Sequence, residues 1–296
     1  MNFLDIESIG AAGLSEILLY ARADLDQVLL GRGVALVFEK PSLRTRNSSE
    51  MAVVSLGGHP IYITNLEVGL DSRESVEDIA RSLASYHAVI AARVFDHSVL
   101  VRMARSLAGT GVPVVNLLSD RGHPCQAVAD LLTMIDRFGE ISGLEVSYVG
   151  DSNNVTLSLA QACLLLGAHL RIASPEGFQF DAQTRSALEL MGKVEFTQDP
   201  DDAVRAADVV YTDTWTSMGQ EAEAQVRRSV FSPRYQVNSK MMALAQKDAI
   251  FMHCLPAHRG EEVSEEVFES RQSVVFSQAA NRLSAFRAIL YAVVTT

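Results

Sequence analysis

Short aliphatic runs recur along this chain, and between them apolar positions fall every three or four residues. The runs have the character of buried strands, and the longer period is that of helices packed against a sheet. Runs at 34–38, 59–63, 88–92 and 112–117 predict a first set of strands. Helical patterns at 14–29, 45–56, 75–86 and 126–138 accompany them. A second series alternates through 145–149, 154–166, 169–172, 182–191, 194–196, 203–206, 209–211 and 250–252, and a last helix is expected at 283–293. Apolar strands separated by helices are the pattern of parallel sheets covered on both faces. The expected fold class is therefore α/β, with two doubly wound parallel-sheet domains. The helix at 126–138, which ends at Gly139, is the candidate hinge between them.

In such folds the reactive groups collect where strands end. The apolar run 249–252 ends in His253, Cys254, Leu255, Pro256, Ala257, His258, Arg259 and Gly260. Pro256 cannot continue a ladder, which leaves the carbonyls of Cys254 and Leu255 to turn toward a cleft. After 34–38, Pro41 stops the strand and Ser42 can cap a helix. A helix start carrying Ser42, Arg44 and Thr45 offers N–H groups, hydroxyls and a guanidinium to a phosphate-sized anion. It is equally the pattern of a capped, solvated helix start. After 208–212, Asp213, Ser217 and Gly219 suit a small ammonium, or form an ordinary Asx-turn.

Two rival chemistries are weighed at the same tips. The strand 145–149 leads into Gly150, Asp151, Ser152, Asn153 and Asn154, which invites a dinucleotide reading. The second and third glycines of that fingerprint are missing, so an NAD-dependent dehydrogenase is the weaker enzyme hypothesis. Asn154 also reads as a helix cap. His253 and His258 show no third metal ligand in the sequence, and no metal is expected. Cys254 is either a nucleophile or a positioning group, with His253 as the one base near it.

Taken together these segments resemble the carbamoyltransferases, and within them the ornithine-specific branch. That family carries Ser-Thr-Arg-Thr-Arg, His-Pro-Cys-Gln, Asp-x-x-x-Ser-Met-Gly and His-Cys-Leu-Pro. This chain has the first at 42–46 with Leu43 in place of threonine, the second at 123–126, the third at 213–219 and the fourth at 253–256. The matches keep the family order from Ser42 to Arg282. The resemblance implies transfer of the carbamoyl group of carbamoyl phosphate to the δ-amine of ornithine, giving citrulline and phosphate. It implies carbamoyl phosphate held by Ser42, Leu43, Arg44, Thr45, Arg93, His123, Pro124, Cys125, Gln126, Cys254, Leu255 and Arg282. It implies ornithine held by Asn154, Asp213, Ser217 and Met218, with Arg44, His123, Asp213 and Cys254 catalytic.

The same resemblance implies a carbamoyl phosphate-binding domain at 1–132 and an ornithine-binding domain at 133–280. A C-terminal helix at 281–296 would return to the first domain. A homotrimer or a multiple of it is implied, with sites at the interface between first domains, and neither cofactor nor metal. Two departures stand out. Leu43 keeps its N–H but loses a hydroxyl donor, on the order of 1 kcal/mol of phosphate affinity. The loop 64–73 lacks the polar residue that family members send into a neighbouring site, and Arg73 is the substitute by charge and reach. A carbamoyltransferase for a related amine (putrescine or acylated ornithine) and a catalytically idle binding subunit remain as alternatives.

Composition narrows the picture from the other side. At 296 residues, with 48% hydrophobic content, the chain can build two cores. No apolar run approaches the ~20 residues that span a bilayer, and Met1 to Asp5 lack a basic leader region. Three cysteines, an odd number, point to a reducing cytoplasm and not to a disulfide framework. The net charge of -11 argues against nucleic acid and anionic membranes. An anionic substrate then needs local charge to overcome the overall field, and Arg44, Arg46, Arg93, His123 and Arg282 are the candidates.

Overall fold

A computed structural model describes residues 1–216 and 221–296 of the chain. The chain divides into two compact units, 1–132 with 280–296, and 133–279.

The first unit holds a parallel sheet of β1 (Gly33–Phe38), β2 (His59–Thr64), β3 (His87–Arg93) and β4 (Val114–Leu118), in the order β2-β1-β3-β4. Helices α1 (Gly10–Arg22), α2 (Leu43–Ser55), α3 (Asn65–Val68), α4 (Val76–Ala84) and α5 (His97–Ser106) belong to it. β3 is buried along its whole length, which is why its sequence shows no alternation. The chain runs from β1 outward to β2, then crosses to the other side of β1 for β3. That reversal opens a crevice at the carboxyl ends of β1 and β3.

The second unit repeats the scheme with β5 (Glu145–Val149), β6 (His169–Ala173), β7 (Val194–Thr197), β8 (Val209–Thr212) and β9 (Ile250–His253), in the order β7-β6-β5-β8-β9. Its reversal lies between β5 and β8. Two long helices carry the chain across the division, α6 (Pro124–Phe138) after β4 and a final helix at Val275–Thr295. Between them lie α7 (Asn154–Leu165), α8 (Ala182–Met191), α9 (Pro200–Val204), α10 (Ala224–Phe231), α11 (Ser239–Met242) and α12 (Glu265–Phe268), so the final helix is α13.

Two helices differ most from their expected spans. The first was expected at 14–29 and covers Gly10–Arg22, with Ala23 already extended. Val28, Leu29 and Leu30 prolong the apolar pattern past its end. Leu29 is buried in a turn whose N–H bonds to the Leu56 carbonyl (3.0 Å). The last helix was expected at 283–293 and begins at Val275. Its first turns are polar in sequence because Gln278 and Arg282 point inward, where both are buried. α5, like α3, α10, α11 and α12, had no separate expectation; Asp96 caps α5 by accepting from the Ser98 N–H (2.7 Å).

Candidate active site

In the first unit, β1 ends at Phe38 and α2 begins at Leu43, so four residues turn the chain at the crevice. Ser42 is the cap, its Oγ accepting from the Thr45 N–H (3.3 Å). This leaves the N–H groups of the first turn directed outward with the positive end of the helix dipole. Arg44, half-buried, lies in that turn. β3 delivers Arg93 from the adjacent strand end. The two segments are tied by the Glu39 N–H to the Arg93 carbonyl (2.9 Å) and the Phe95 N–H to Glu39 Oε2 (2.7 Å).

The Thr45 hydroxyl is the meeting point of this cluster. It accepts from Ser42 Oγ (2.9 Å), from Arg282 Nη2 (2.7 Å) and, at 3.5 Å, from Arg93 Nη1. Arg282 also donates to Gln126 Oε1, and Gln126 Nε2 donates to Asp130 (2.8 Å). Arg93, Arg282, Thr45, His123 and Gln126 are all buried, drawn from β3, α13, α2 and the start of α6. Two buried guanidiniums converging on one hydroxyl beside a helix start concentrate positive charge at one place in an acidic protein, the setting that suits an anion. Leu43 contributes backbone only, since its side chain is 74% exposed.

His123 precedes Pro124, the first residue of α6, and its carbonyl accepts the N–H of Gln126 and Ala127 (3.0 and 3.2 Å). Burial, then Arg282, Arg93 and Lys40, hold its imidazole well below the usual range, so it is neutral near pH 7. Cys125 faces away from chemistry. Its thiol donates to the Asn116 carbonyl (3.2 Å), and burial pushes its pKa up to about 12. Because the folded value lies above the ordinary 9.0, the neutral thiol's contribution to stability is complete below pH 9 and declines from there toward 12. Alkylation of Cys125 in the folded protein should therefore stay flat between pH 7 and about 10 and appear on unfolding. Peptide mapping after iodoacetamide treatment checks this; labelling that rises between pH 8 and 9.5 without unfolding contradicts it.

Sequence reasoning missed Lys40. It sits beside Pro41 with its Nζ over the Phe95 ring (4.5 Å). Burial, then the neighbouring Arg93, lowers its pKa, against the opposing pull of Glu39 and Asp120. The residues Phe38, Glu39 and Lys40 were on view in the sequence, but nothing there says that Lys40 faces Arg93. Arg46 turns outward from α2, where it pairs with Glu50 (2.8 Å) and lies over Tyr62. Arg73 folds onto its own loop, with Nη1 on the Glu67 carbonyl (3.1 Å).

In the second unit, the strand ends at the reversal carry Asp151 after β5 and Asp213 after β8, and the neighbouring β9 carries Cys254 at its end. Thr212 Oγ1 donates to the Val149 carbonyl (2.6 Å), which locks β8 to β5 as the chain leaves the sheet. Cys254 Sγ donates to Asp213 Oδ1 (3.0 Å), so a thiol lies directly against the buried carboxylate. The helix cap after β5 is Asn153, whose Oδ1 accepts from the Val155 and Thr156 N–H groups. Asn154, read from sequence as a cap, is instead the first helical residue of α7. Ser217 and Met218 lie outside the described residues.

His253 is wholly buried. Its Nδ1 accepts from the Leu255 N–H (2.9 Å), which places the ring proton on Nε2, facing Glu262 Oε1 (3.1 Å). Glu262 also accepts the His258 N–H (2.6 Å), so one buried carboxylate gathers both ends of the 253–258 segment. Leu255 adopts a positive φ of 61°. The sequence showed no third ligand beside either histidine. The fold brings Asp213 and Cys254 to His253, and Glu261 and Glu262 to His258, each group within 4.8 Å. The hydrogen bonds just described already engage His253, Cys254 and Glu262.

Two doubly wound units, one with a cationic cluster at its reversal and the other with a carboxylate against a thiol, define a group-transfer enzyme for an anionic donor. The chain belongs to the aspartate/ornithine carbamoyltransferase family. The profile of its carbamoyl-P binding domain matches residues 2–136, and that of its Asp/Orn binding domain matches 142–293. An ornithine carbamoyltransferase of Thermococcus kodakarensis is 48% identical over 269 residues, covering 89% of this chain and 84% of its own. An anabolic ornithine carbamoyltransferase of Pyrococcus furiosus is 47% identical over 269 residues, with the same coverage. The solved ornithine carbamoyltransferase of Pyrococcus furiosus superposes with a TM-score of 0.92 at 43% identity, covering 98% of this chain and 95% of that one.

Proposed function

We propose that this chain is an ornithine carbamoyltransferase, transferring the carbamoyl group of carbamoyl phosphate to the δ-amine of L-ornithine. A bond forms between the δ-nitrogen and the carbamoyl carbon, and the bond from that carbon to the bridging phosphate oxygen breaks. Citrulline and inorganic phosphate leave. The observation that carries this reading is the buried convergence of Arg93 and Arg282 on Thr45 at the start of α2. It supplies the positive charge that a phosphate needs in a protein of net charge -11.

The first unit is the carbamoyl phosphate domain in this reading. The phosphate takes the first-turn N–H groups of α2 with Ser42, Leu43, Arg44 and Thr45, and Arg93 and Lys40 add charge. The carbonyl oxygen is met by Thr45, Arg93 and a neutral His123 that donates one N–H as the oxyanion develops. Gln126 and Arg282, already bonded to each other, fix the amide nitrogen, with Pro124 and Cys125 shaping the turn. The carbonyls of Cys254 and Leu255 complete the contacts to that amide. The second unit is the ornithine domain: Asp213, Asn154, Ser217 and Met218 hold the α-amino acid end. Only the neutral δ-amine attacks, so the site has to favour loss of a proton from a lysine-like group. Cys254, held against Asp213, orients that amine, and the departing phosphate accepts the proton. Neither a cofactor nor a metal enters these steps.

Ornithine should be preferred over putrescine by at least an order of magnitude in kcat/KM, because putrescine brings no α-amino acid head for Asp213 and Asn154. Each lost charge-assisted contact is worth about 1.5–3 kcal/mol. Steady-state rates with ornithine, putrescine, acetylornithine and aspartate as acceptors test the assignment. Equal kcat/KM for putrescine and ornithine contradicts it, and no turnover with any acceptor favours an idle subunit.

The reading extends to a cytoplasmic enzyme working toward citrulline and so toward arginine. The term "anabolic" in the name of the Pyrococcus furiosus relative supports that direction. Among the described residues, no helix is long and apolar enough to cross a membrane. A homotrimer, or a multiple of it, is supported by the outer face of α2. There Leu43, Met51 and Val54 are exposed on one side of the helix, and Ile61 is exposed on β2, the edge strand. Sedimentation should give a mass near three chains or a multiple of it; an active monomer contradicts this.

A further inference from the structure

Arg227 was not among the residues read as functional, and it is a buried charge with several partners in the second unit. Its Nη1 donates both to Asp151 Oδ2 (2.7 Å) and to the Trp215 carbonyl (3.0 Å), and its Nε donates to Glu223 (3.0 Å). The guanidinium carbon stands 4.9 Å from the Phe178 ring centre. Phe178 and Trp215 both pack on Phe231, so the aromatic wall around the cation belongs to the same cluster. One side chain on α10 thus clasps the tip of β5 through Asp151 and the tip of β8 through Trp215.

We propose that Arg227 is a positioning residue for the amino-acid half of the reaction, a role that rests on the ornithine reading of Asp213. Asp213 lies between two fixed points. On one side the Thr212 hydroxyl is bonded to the Val149 carbonyl (2.6 Å). On the other side the Trp215 carbonyl is bonded to Arg227. The second tie sets where the Asp213 carboxylate points. Arg227 also answers the charge of Asp151, whose carboxyl is raised above the usual range by burial and drawn back down by Arg227 through their ion pair (2.7 Å). With Asp151 neutralised, the negative charge offered to an ammonium is that of Asp213. A buried ion pair is a poor device for stability, since well-packed apolar groups of the same volume often serve as well. Its geometric fixity is what an apolar replacement does not reproduce.

The test compares Arg227→Met, Arg227→Lys and Asp151→Asn with the parent enzyme. The readouts are kcat, separate KM values for ornithine and carbamoyl phosphate, and thermal unfolding. Arg227→Met should raise the ornithine KM by about tenfold or more, the scale of one lost charge-assisted hydrogen bond. The carbamoyl phosphate KM should stay within about twofold at saturating ornithine. Arg227→Lys, which keeps the charge and one donor, should recover part of the loss. Asp151→Asn keeps the bond to Trp215 and should shift the ornithine KM less than Arg227→Met does. Equal changes in both KM values, or an unchanged ornithine KM in a folded Arg227→Met protein, overturn the proposal. Should Arg227→Met fail to fold, a parental ornithine KM in Arg227→Lys overturns it. A parent enzyme that does not use ornithine defeats the functional reading itself, whereas a parent that does, with indifferent variants, defeats this inference alone.

Discussion

Replacing Arg44 with alanine should cost roughly 3–4 kcal/mol in the transition state, or about two to three orders of magnitude in turnover. Arg44 lies in the first turn of α2, beside the Ser42 cap and the buried Thr45. In the proposed function a guanidinium there is assigned to the bridging oxygen as well as the phosphate, where it faces charge that grows as the carbon–oxygen bond breaks. An interaction stronger in the transition state than in the ground state is read as lost kcat, while uniform phosphate binding is read in KM. Arg46 is the internal control. It points outward to Glu50 and Tyr62, and Arg46→Ala should leave turnover within a fewfold of the parent. Steady-state kinetics of both variants with both substrates varied decide the matter. A larger turnover loss in Arg46→Ala would falsify the placement of the phosphate on this helix start.

Asp213→Asn should lower kcat/KM for ornithine by about 100-fold, roughly the 2–3 kcal/mol of a charge-assisted contact. The KM for carbamoyl phosphate should move little, because the cluster assigned to phosphate lies in the first unit. The substitution is clean in one respect: asparagine keeps an oxygen able to accept from Cys254 Sγ, so the strand tip retains its local bond. What disappears is the charge. A defect confined to carbamoyl phosphate in this variant contradicts the division of substrates between the two units.

The sequence made the strand tips legible because each combines two signals. An apolar run marks a buried parallel strand, and the polar residues after it sit where the topology puts a crevice. Ser42, Arg93, Asp213 and Cys254 could be placed this way. The fold class followed from the same alternation. Contacts between remote segments were not legible. Arg282 meets Thr45 across 237 residues and Gln126 across 156, and only the packing of α13 reveals it. The polar turns at the start of α13 hid its beginning, since inward-facing Gln278 and Arg282 break the apolar period.

Arg227 and Asp151 illustrate the same limit. They stand seventy-six positions apart, and in the sequence Asp151 figures only in the strand-tip segment 150–154 while Arg227 draws no reading at all. The choice between Asn153 and Asn154 as cap was a matter of one residue, below what capping patterns resolve.

The most direct test of the account is the stoichiometry of the reaction run by the purified chain on carbamoyl phosphate and ornithine. Citrulline and inorganic phosphate should appear in equal amounts, each matching the carbamoyl phosphate consumed. Omitting ornithine should stop phosphate release beyond the spontaneous rate. Phosphate released without citrulline, or no enzymatic consumption of carbamoyl phosphate at all, would contradict the assignment.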